Sequence, residues 1–246
     1  MTRTTDRTVL CLTGADRTEF LQGLITNDIK GLSDGMLYAA MLTPQGKYLA
    51  DFFLIATDDG ILLDVHSSLA PGLTQRLTMY KLRADVQISA TDIVPARGLS
   101  ETPEGAFPDP RHPDMGWRAY DGRPSEQGDF DAVRVAHVIP ETGIELSSES
   151  YILEAGFERL HGVDFRKGCY VGQEVTARMK HKTELRKGLV QVRISGHAPV
   201  GTEITASGKP AGTLFTQSGG LAIAYLRFDR ASGEMMAGDA KVSWPA

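Results

Sequence analysis

The residues best suited to chemistry lie in one octapeptide, Lys167-Gly168-Cys169-Tyr170-Val171-Gly172-Gln173-Glu174. Cys169 stands between two glycines and close to Lys167. Gly172 is placed to precede a helix running through Gln173, Thr176 and Arg178. A thiol near a helix N-terminus and beside cations is favoured as thiolate by both fields. Such a sulfur is a nucleophile or a ligand for a soft metal. The competing reading is a small buried residue in a tight loop. Gly168 and Gly172 offer the backbone freedom that exposes the sulfur. The other cysteine, Cys11, lies inside Val9-Leu10-Cys11-Leu12 and reads as a buried structural thiol.

The charge around Cys169 is unusual for this chain. From Arg166 to Lys187, seven Lys or Arg face two acids, a local charge of +5, so the rest of a chain of net charge −5 carries −10. A basic patch on an acidic protein suggests a specific anionic partner, with Lys167, Arg178 and Lys180 as the contacts. A solvated charged helix would look the same. RNA binding is a weaker idea, because Tyr170 is the only aromatic there and stacking platforms need several.

Other motifs fail on context. Gly31-Leu32-Ser33-Asp34-Gly35 fits G-x-S-x-G, but a helix precedes it and a strand follows, the reverse of a nucleophile elbow. The chain has no P-loop and no dinucleotide fingerprint. Its six histidines form no H-E-x-x-H, and no C-x-x-C accompanies them. The acidic balance excludes a protein coated overall in nucleic acid or anionic lipid. No run approaches the ~18 apolar residues of a membrane helix. The polar N-terminus lacks a signal-peptide core, and two cysteines make no disulfide scaffold. The expectation is a cytoplasmic protein without membrane contact.

Several elements must position these residues. Val9–Leu12 reads as a strand, and 16–29, with Phe20, Leu21, Leu24 and Ile25, as a helix with one buried face. Met36–Leu42 and Leu49–Thr57 form a hairpin about Pro44-Gln45-Gly46-Lys47. Ile61–Val65 is a strand, Pro71 opens a helix through Leu82, and Asp85–Thr91 is a closing strand. Residues 98–128 hold five of the twelve prolines and read as an irregular connection with one short strand near 116–120. A helix is expected over 129–138, and 151–161 is open between helix and strand, with Leu153, Phe157 and Leu160 favouring helix. From Gly188 onward, five short strands separated by Gly, Ser and Pro predict a small barrel or sandwich.

The octapeptide resembles the K-G-C-[FY]-x-G-Q-E motif of YgfZ-type folate-binding proteins, which are iron–sulfur cluster assembly and repair factors. Phe20-Leu21-Gln22-Gly23-Leu24, Thr26-Asn27-Asp28, Pro44-Gln45-Gly46-Lys47, Asp109-Pro110-Arg111 with Gly116 and Arg118, and Leu153-Glu154-Ala155 also match. The continuation Thr176 to Lys182 is most similar to the branch shared with mitochondria. The wider resemblance is to the glycine-cleavage T-protein, a tetrahydrofolate-dependent aminomethyltransferase. It implies an α+β fold: a folate-binding region of two related α+β subdomains (1–95 and 96–180), then a small β-barrel (187–246). It implies tetrahydrofolate as cofactor, with Glu154 of Leu153-Glu154-Ala155-Gly156 accepting from the pterin. A carboxylate suits that aminopyrimidine edge. Asn27, Tyr80 and Arg83 are the further folate contacts it suggests. Without the resemblance, Glu154 would read as a surface helix acid.

The pattern breaks at one point. The T-protein carries two adjacent acids after a Gly-Gly turn, and here Gly46-Lys47-Tyr48-Leu49-Ala50-Asp51 keeps only Asp51. Proton transfer needs a positioned titratable group, so folate binding outlives the methylene chemistry in this reading. Asp51 also reads as a solvated strand residue. The resemblance therefore implies a tetrahydrofolate-binding assembly factor rather than a classical enzyme, with Cys169 as its essential thiol. Cys169 would share a [2Fe–2S] cluster with an iron–sulfur carrier or a glutaredoxin-type protein and serve client apo-enzymes, or act as a redox thiol in repair. The basic segment, including Gln173 and Glu174, would meet an acidic partner or a folate polyglutamate tail. The alternative is a folate-dependent one-carbon transferase that depends on Asp51 and is indifferent to Cys169.

Overall fold

The computed structural model describes residues 6–182 and 184–245. Two compact units emerge, one formed by 1–128 with 158–175 and the other by 129–157 with 176–246. This division differs from the three consecutive segments expected from sequence.

The first unit is built on a five-stranded antiparallel sheet. Its strands are β1 (Arg7–Thr13), β2 (Leu37–Leu42), β3 (Tyr48–Ala56), β4 (Ile61–His66) and β5 (Gln87–Ala90), in the order β2-β3-β4-β1-β5. Helices α1 (Arg17–Gln22) and α2 (Ala70–Tyr80) belong to the same unit. Strand period two sorts the side chains. Leu10, Leu12, Ala39, Met41, Phe52, Leu54, Leu63 and Val65 share an apolar core with Leu21, Leu73 and Leu77 of the helices. The alternate positions put Tyr38 opposite Phe53 and Phe53 opposite Asp64 on the other face. β2, β3 and β4 are nevertheless buried almost throughout. Charges on that second face must therefore be paired.

Helix α1 stops far short of the expected 16–29. Gly23 caps it, and Ile25 leaves the helix to bridge Met41 at the end of β2. The apolar stripe continues, but a strand partner takes the backbone. The G-x-S-x-G match falls largely within a 3-10 turn over Ile29–Asp34, with no elbow. The short strand expected near 116–120 is β8 (Trp117–Ala119); it is joined by β6 (Ala96–Gly98) and by β7 (Phe107–Pro108), which lies in the stretch expected to be irregular, in the order β6-β8-β7.

The second unit holds α3 (Phe130–His137) and a closed barrel. The side chain of Asp129 caps α3 by accepting from the Ala132 N–H at 2.9 Å. Arg134, buried in α3, pairs with Asp131, Glu141 and Glu145, and Glu145 in turn accepts from the Thr216 hydroxyl. The barrel strands are β9 (Lys187–Ser195), β10 (Glu203–Ala206), β11 (Lys209–Ser218), β12 (Leu221–Arg227), β13 (Met235–Ala237) and β14 (Ala240–Ser243). They close in the order β10-β11-β12-β9-β14-β13. Five were expected; the sixth, β13, has three residues, too few for an alternation to register. Helix α4 (Gln173–Lys182) follows Gly172 as the spacing required.

Residues 151–161 form successive tight turns rather than a helix. Gly156 and His161 adopt positive φ, which a right-handed helix cannot contain. The apolar residues Ile152, Leu153, Ala155, Phe157 and Leu160 are all buried. They therefore do not form the single stripe of a surface helix.

Candidate functional site

Cys169 is exposed, and its neighbours explain why. Lys167 and Tyr170 are both buried, so two inward anchors flank the outward pair Gly168-Cys169. The Lys167 ammonium donates to the Gln22 carbonyl at 2.7 Å and to that of Ile25. It also lies 4.9 Å from the Tyr170 ring centroid. Burial lowers the pKa of this lysine to about 8, against the opposing fields of Asp28 and Asp164. Its donors are committed to the interior, so the expectation that Lys167 binds an outside anion is corrected.

The far end of the loop is held as firmly. The Val171 N–H donates to Gly23 O at 3.3 Å. Gly172 has φ +86°, and a Cβ there would fall 2.6 Å from Thr43 O and 3.3 Å from Gly46 Cα. Only glycine fits. The Pro44-Gln45-Gly46-Lys47 turn is thus the seat of the cysteine loop. Gly168, by contrast, has an ordinary φ, and a Cβ there would meet nothing within 4 Å. The freedom expected of both glycines is needed at one.

Asn27 serves the scaffold. Its Nδ2 donates to Tyr38 O at 2.9 Å and His161 O at 2.7 Å, and its Oδ1 accepts from Asp28 N at 2.9 Å. Beside it, the Thr26 hydroxyl donates to Gly162 O at 2.6 Å and accepts from Ala40 N at 2.8 Å. Thr26-Asn27-Asp28 therefore ties β2 to the run leading into Cys169. Both amide donors of Asn27 are spent, which corrects its placing as a folate contact. Tyr80, half-buried at the end of α2, packs on the sheet core, and Arg83 is exposed just beyond. Arg166, Glu174, Arg178 and Lys180 are exposed as a charged segment requires, and Gln173 is half-buried as the first residue of α4.

Asp51 is buried, not solvated. Its Oδ2 accepts from the Tyr38 hydroxyl at 2.9 Å and its Oδ1 from that of Tyr48 at 2.5 Å. The same face of the sheet carries Asp64, which takes Arg7 at 2.7 Å, Arg118 at 3.3 Å and the Tyr120 hydroxyl at 2.8 Å. Asp109 takes Arg111 at 2.8 Å and Arg118 at 3.4 Å. The guanidinium carbons of Arg7, Arg111 and Arg118 lie 5.5, 4.9 and 4.1 Å from the Phe53 centroid. Three acids and three arginines thus neutralise one another around an aromatic floor. Burial works to raise the Asp109 pKa, but the charges and hydrogen bonds of Arg111 and Arg118 outweigh it and hold it below the usual carboxylate range.

Glu154, in the second unit, is also buried, with 8% exposure, and not on a helix surface. Its Oε2 accepts from the Tyr225 hydroxyl at 2.6 Å, and the Lys187 ammonium stands 3.8 Å from Oε1. Burial first, then Glu154, pushes the Tyr225 hydroxyl well above its ordinary pKa. A cavity of about 350 Å³ opens here. Its walls combine Glu154, the apolar Met179 and Leu185, the cations Arg186, Lys187 and Arg227, and Asp229, which pairs with Arg227 at 3.3 Å. Sequence reasoning missed Tyr225. Its only signal is an aromatic inside the barrel strand Leu221–Arg227, which reads as ordinary barrel packing.

Comparison with known proteins places this architecture. Residues 186–246 match the C-terminal β-barrel domain of CAF17. The fold aligns with the crystal structure of glycine cleavage system aminomethyltransferase T from Bartonella henselae, with a TM-score of 0.73 at 13% identity, over 96% of this chain and 82% of that one. The fold is therefore that of the aminomethyltransferase T-proteins, completed by a CAF17-type barrel. The chain is 30% identical to the Homo sapiens protein named iron-sulfur cluster assembly factor IBA57, mitochondrial, over 93% of this chain and 78% of that protein. It is 34% identical to the IBA57 homolog of Mycosarcoma maydis over 75% of its own length, spanning about half (54%) of that relative. The chain belongs to the IBA57 family of iron–sulfur cluster assembly factors. Those relatives are named mitochondrial, which overturns the cytoplasmic expectation drawn from the polar N-terminus.

Proposed function

We propose that this chain assists iron–sulfur cluster assembly by offering the Cys169 thiolate to a [2Fe–2S] cargo held jointly with a partner, and that it binds a reduced folate at Glu154. The observation that carries the reading is the exposed sulfur held between two buried anchors. Thiolates are the usual cluster ligands, and four are needed. One cysteine supplies one, so the others belong to a carrier or glutaredoxin-type partner. On ligation Cys169 takes the place of an exchangeable thiolate on the iron: its sulfur–iron bond forms as that ligand's bond breaks, and the proton of Cys169 passes to the departing thiolate. The exposed cations Arg166, Arg178 and Lys180 suit an acidic partner surface and make association salt-sensitive. The octapeptide supports the finer placement among YgfZ-type factors.

The residues around Glu154 fit a folate. A buried carboxylate accepts from an aminopyrimidine edge, Met179 and Leu185 suit a flat aromatic body, and Arg186 and Lys187 suit an anionic tail, Arg227 being paired with Asp229. When bound, tetrahydrofolate supplies a one-carbon carrier. The chain's own part is to hold and orient it, with Tyr225 fixing the carboxylate. Aminomethyl transfer is disfavoured: Ala50 moves no proton, and Asp51 commits both oxygens to tyrosine hydroxyls.

Complementation tests the reading. The gene is deleted in its own host, and wild type, Cys169→Ala, Asp51→Asn or Glu154→Gln is restored. The activity of a [4Fe–4S] enzyme such as aconitase is followed together with folate pools. Asp51→Asn is chosen because it keeps an acceptor for the tyrosines. Failure of Cys169→Ala with success of Asp51→Asn supports the proposal. Normal cluster enzymes in the deletion strain, with one-carbon folates disturbed through Asp51, would overturn it. Titration calorimetry with tetrahydrofolate tests the second site: binding that Glu154→Gln leaves unchanged removes folate from Glu154.

A further inference from the structure

We infer that Lys167 is a positioning residue for Cys169, a latch that fixes the loop 167–172 on the end of α1 and so sets how the sulfur is presented. The inference rests on the reading of Cys169 as the working thiol. Lysine is among the residues least often buried, and an interior ammonium is costly unless its donors are used. Here they are used on one target. Gln22 ends α1, and Ile25 lies just past it. Carbonyls at a helix C-terminus lack helical partners and carry the negative end of the dipole. An ammonium answers both needs.

The other face of that ammonium lies toward Tyr170, 4.9 Å from the ring centroid. One side chain thus gathers the end of α1, its own backbone and the residue that follows Cys169. At the loop's other end, Val171 bonds Gly23 and Gly172 is wedged against Thr43 and Gly46. Only Gly168 and Cys169 stand outward between the pins. A span of two residues held at both ends has little freedom, and that is what a ligand needs if it is to complete a cluster on another protein without first being ordered. Lys167 is too enclosed to recruit the partner, so its effect passes through Cys169.

The test uses the full chain. Backbone order of Gly168, Cys169 and Tyr170 is measured by amide relaxation in wild type, Lys167→Met and Lys167→Arg. Joint [2Fe–2S] binding with a glutaredoxin is read by visible circular dichroism. Order parameters near those of the strands, about 0.85, are expected in wild type, falling below about 0.6 at these three positions in Lys167→Met while β2 and β3 keep theirs. Joint cluster formation should fall at least fivefold in Lys167→Met and recover in part in Lys167→Arg, which keeps the cation. Unchanged order and unchanged cluster formation in a folded Lys167→Met overturn the latch. If Lys167→Met does not fold, the wild-type values decide, since values below about 0.6 at Gly168 and Cys169 would mean that nothing is held. Restoration of the cluster enzyme by Cys169→Ala is a different failure, that of the thiol reading, and leaves the order measurement intact.

Discussion

Asp51 and Glu154 are two buried acids, each bonded by tyrosine hydroxyls, yet their surroundings give them opposite uses. Asp51 commits one oxygen to Tyr38 and the other to Tyr48, among the arginines and acids that close over Phe53. Glu154 gives Tyr225 one oxygen, keeps the other 3.8 Å from Lys187, and lines a cavity. The first acid has been absorbed into the structure; the second is oriented and still addresses space. A T-protein fold can therefore keep a ligand-binding acid while the acid placed for proton transfer becomes a structural acceptor. Burial alone does not separate these fates, whereas the number of oxygens already satisfied does.

The sharpest way to break the comparison is stability. Asp51→Ala removes the acceptor of two buried hydroxyls and unbalances a neutral cluster, and is expected to cost about 3–5 kcal/mol. Glu154→Gln keeps an acceptor for Tyr225 and removes a buried charge, and should cost about 1 kcal/mol or less. Urea unfolding compares them; equal losses would erase the distinction between the two acids. Next in size are the glycines of the cysteine loop. Gly172→Ala meets both a positive φ and the Thr43 carbonyl and should cost about 2–3 kcal/mol. Gly168→Ala should lie within about 0.5 kcal/mol of wild type. A large loss at Gly168 would contradict the open space around it.

Some of this was legible in the sequence. The barrel announced itself through Gly, Ser and Pro between short strands, and the hairpin through Pro44-Gln45-Gly46-Lys47. Gly172 marked the start of α4. The positions of Asn27, Lys167 and Asp51 were recognised, but not their uses. A lysine in a run of cations reads as solvated until the carbonyls of Gln22 and Ile25, more than a hundred positions earlier, are folded beneath it. Asp51 reads as one strand acid until Tyr38 of the neighbouring strand and Tyr48 close on it. The turns of 151–161 failed for the converse reason: apolar residues at helical spacing are equally available to a chain that folds back on itself at Gly156.

The acid cluster makes a smaller prediction about pH. The Asp109 pKa is depressed in the folded chain. Its contribution to stability is complete above the ordinary value of 3.8 and is lost as pH falls through the lower folded value. The stability gap between wild type and Asp109→Asn should therefore hold from neutral pH down to about 4 and narrow below it. A gap that narrows near neutrality would mean that the arginines do not hold this carboxylate.

The smallest expected effect bears directly on how Glu154 is held. Tyr225 is raised well above the ordinary tyrosine value, by burial first and by its bond to Glu154 second. Stability linked to that proton is fully present below about pH 10 and is lost as pH rises through the folded value. In wild type, burial and the facing carboxylate together should keep Tyr225 protonated well above the ordinary tyrosine range. Glu154→Gln removes the negative charge and keeps the cavity. Tyr225 should then ionise at a lower pH than in wild type, read as an earlier gain in tyrosinate absorbance near 295 nm. Asp51→Asn serves as the comparison, since Tyr38 lies in a fully buried cluster and should stay protonated. A gain in Glu154→Gln alone sharpens the contrast between an acid that faces a cavity and one sealed in the core. Equal behaviour of the two variants would show that Tyr225 is held by burial, with Glu154 contributing nothing to its proton.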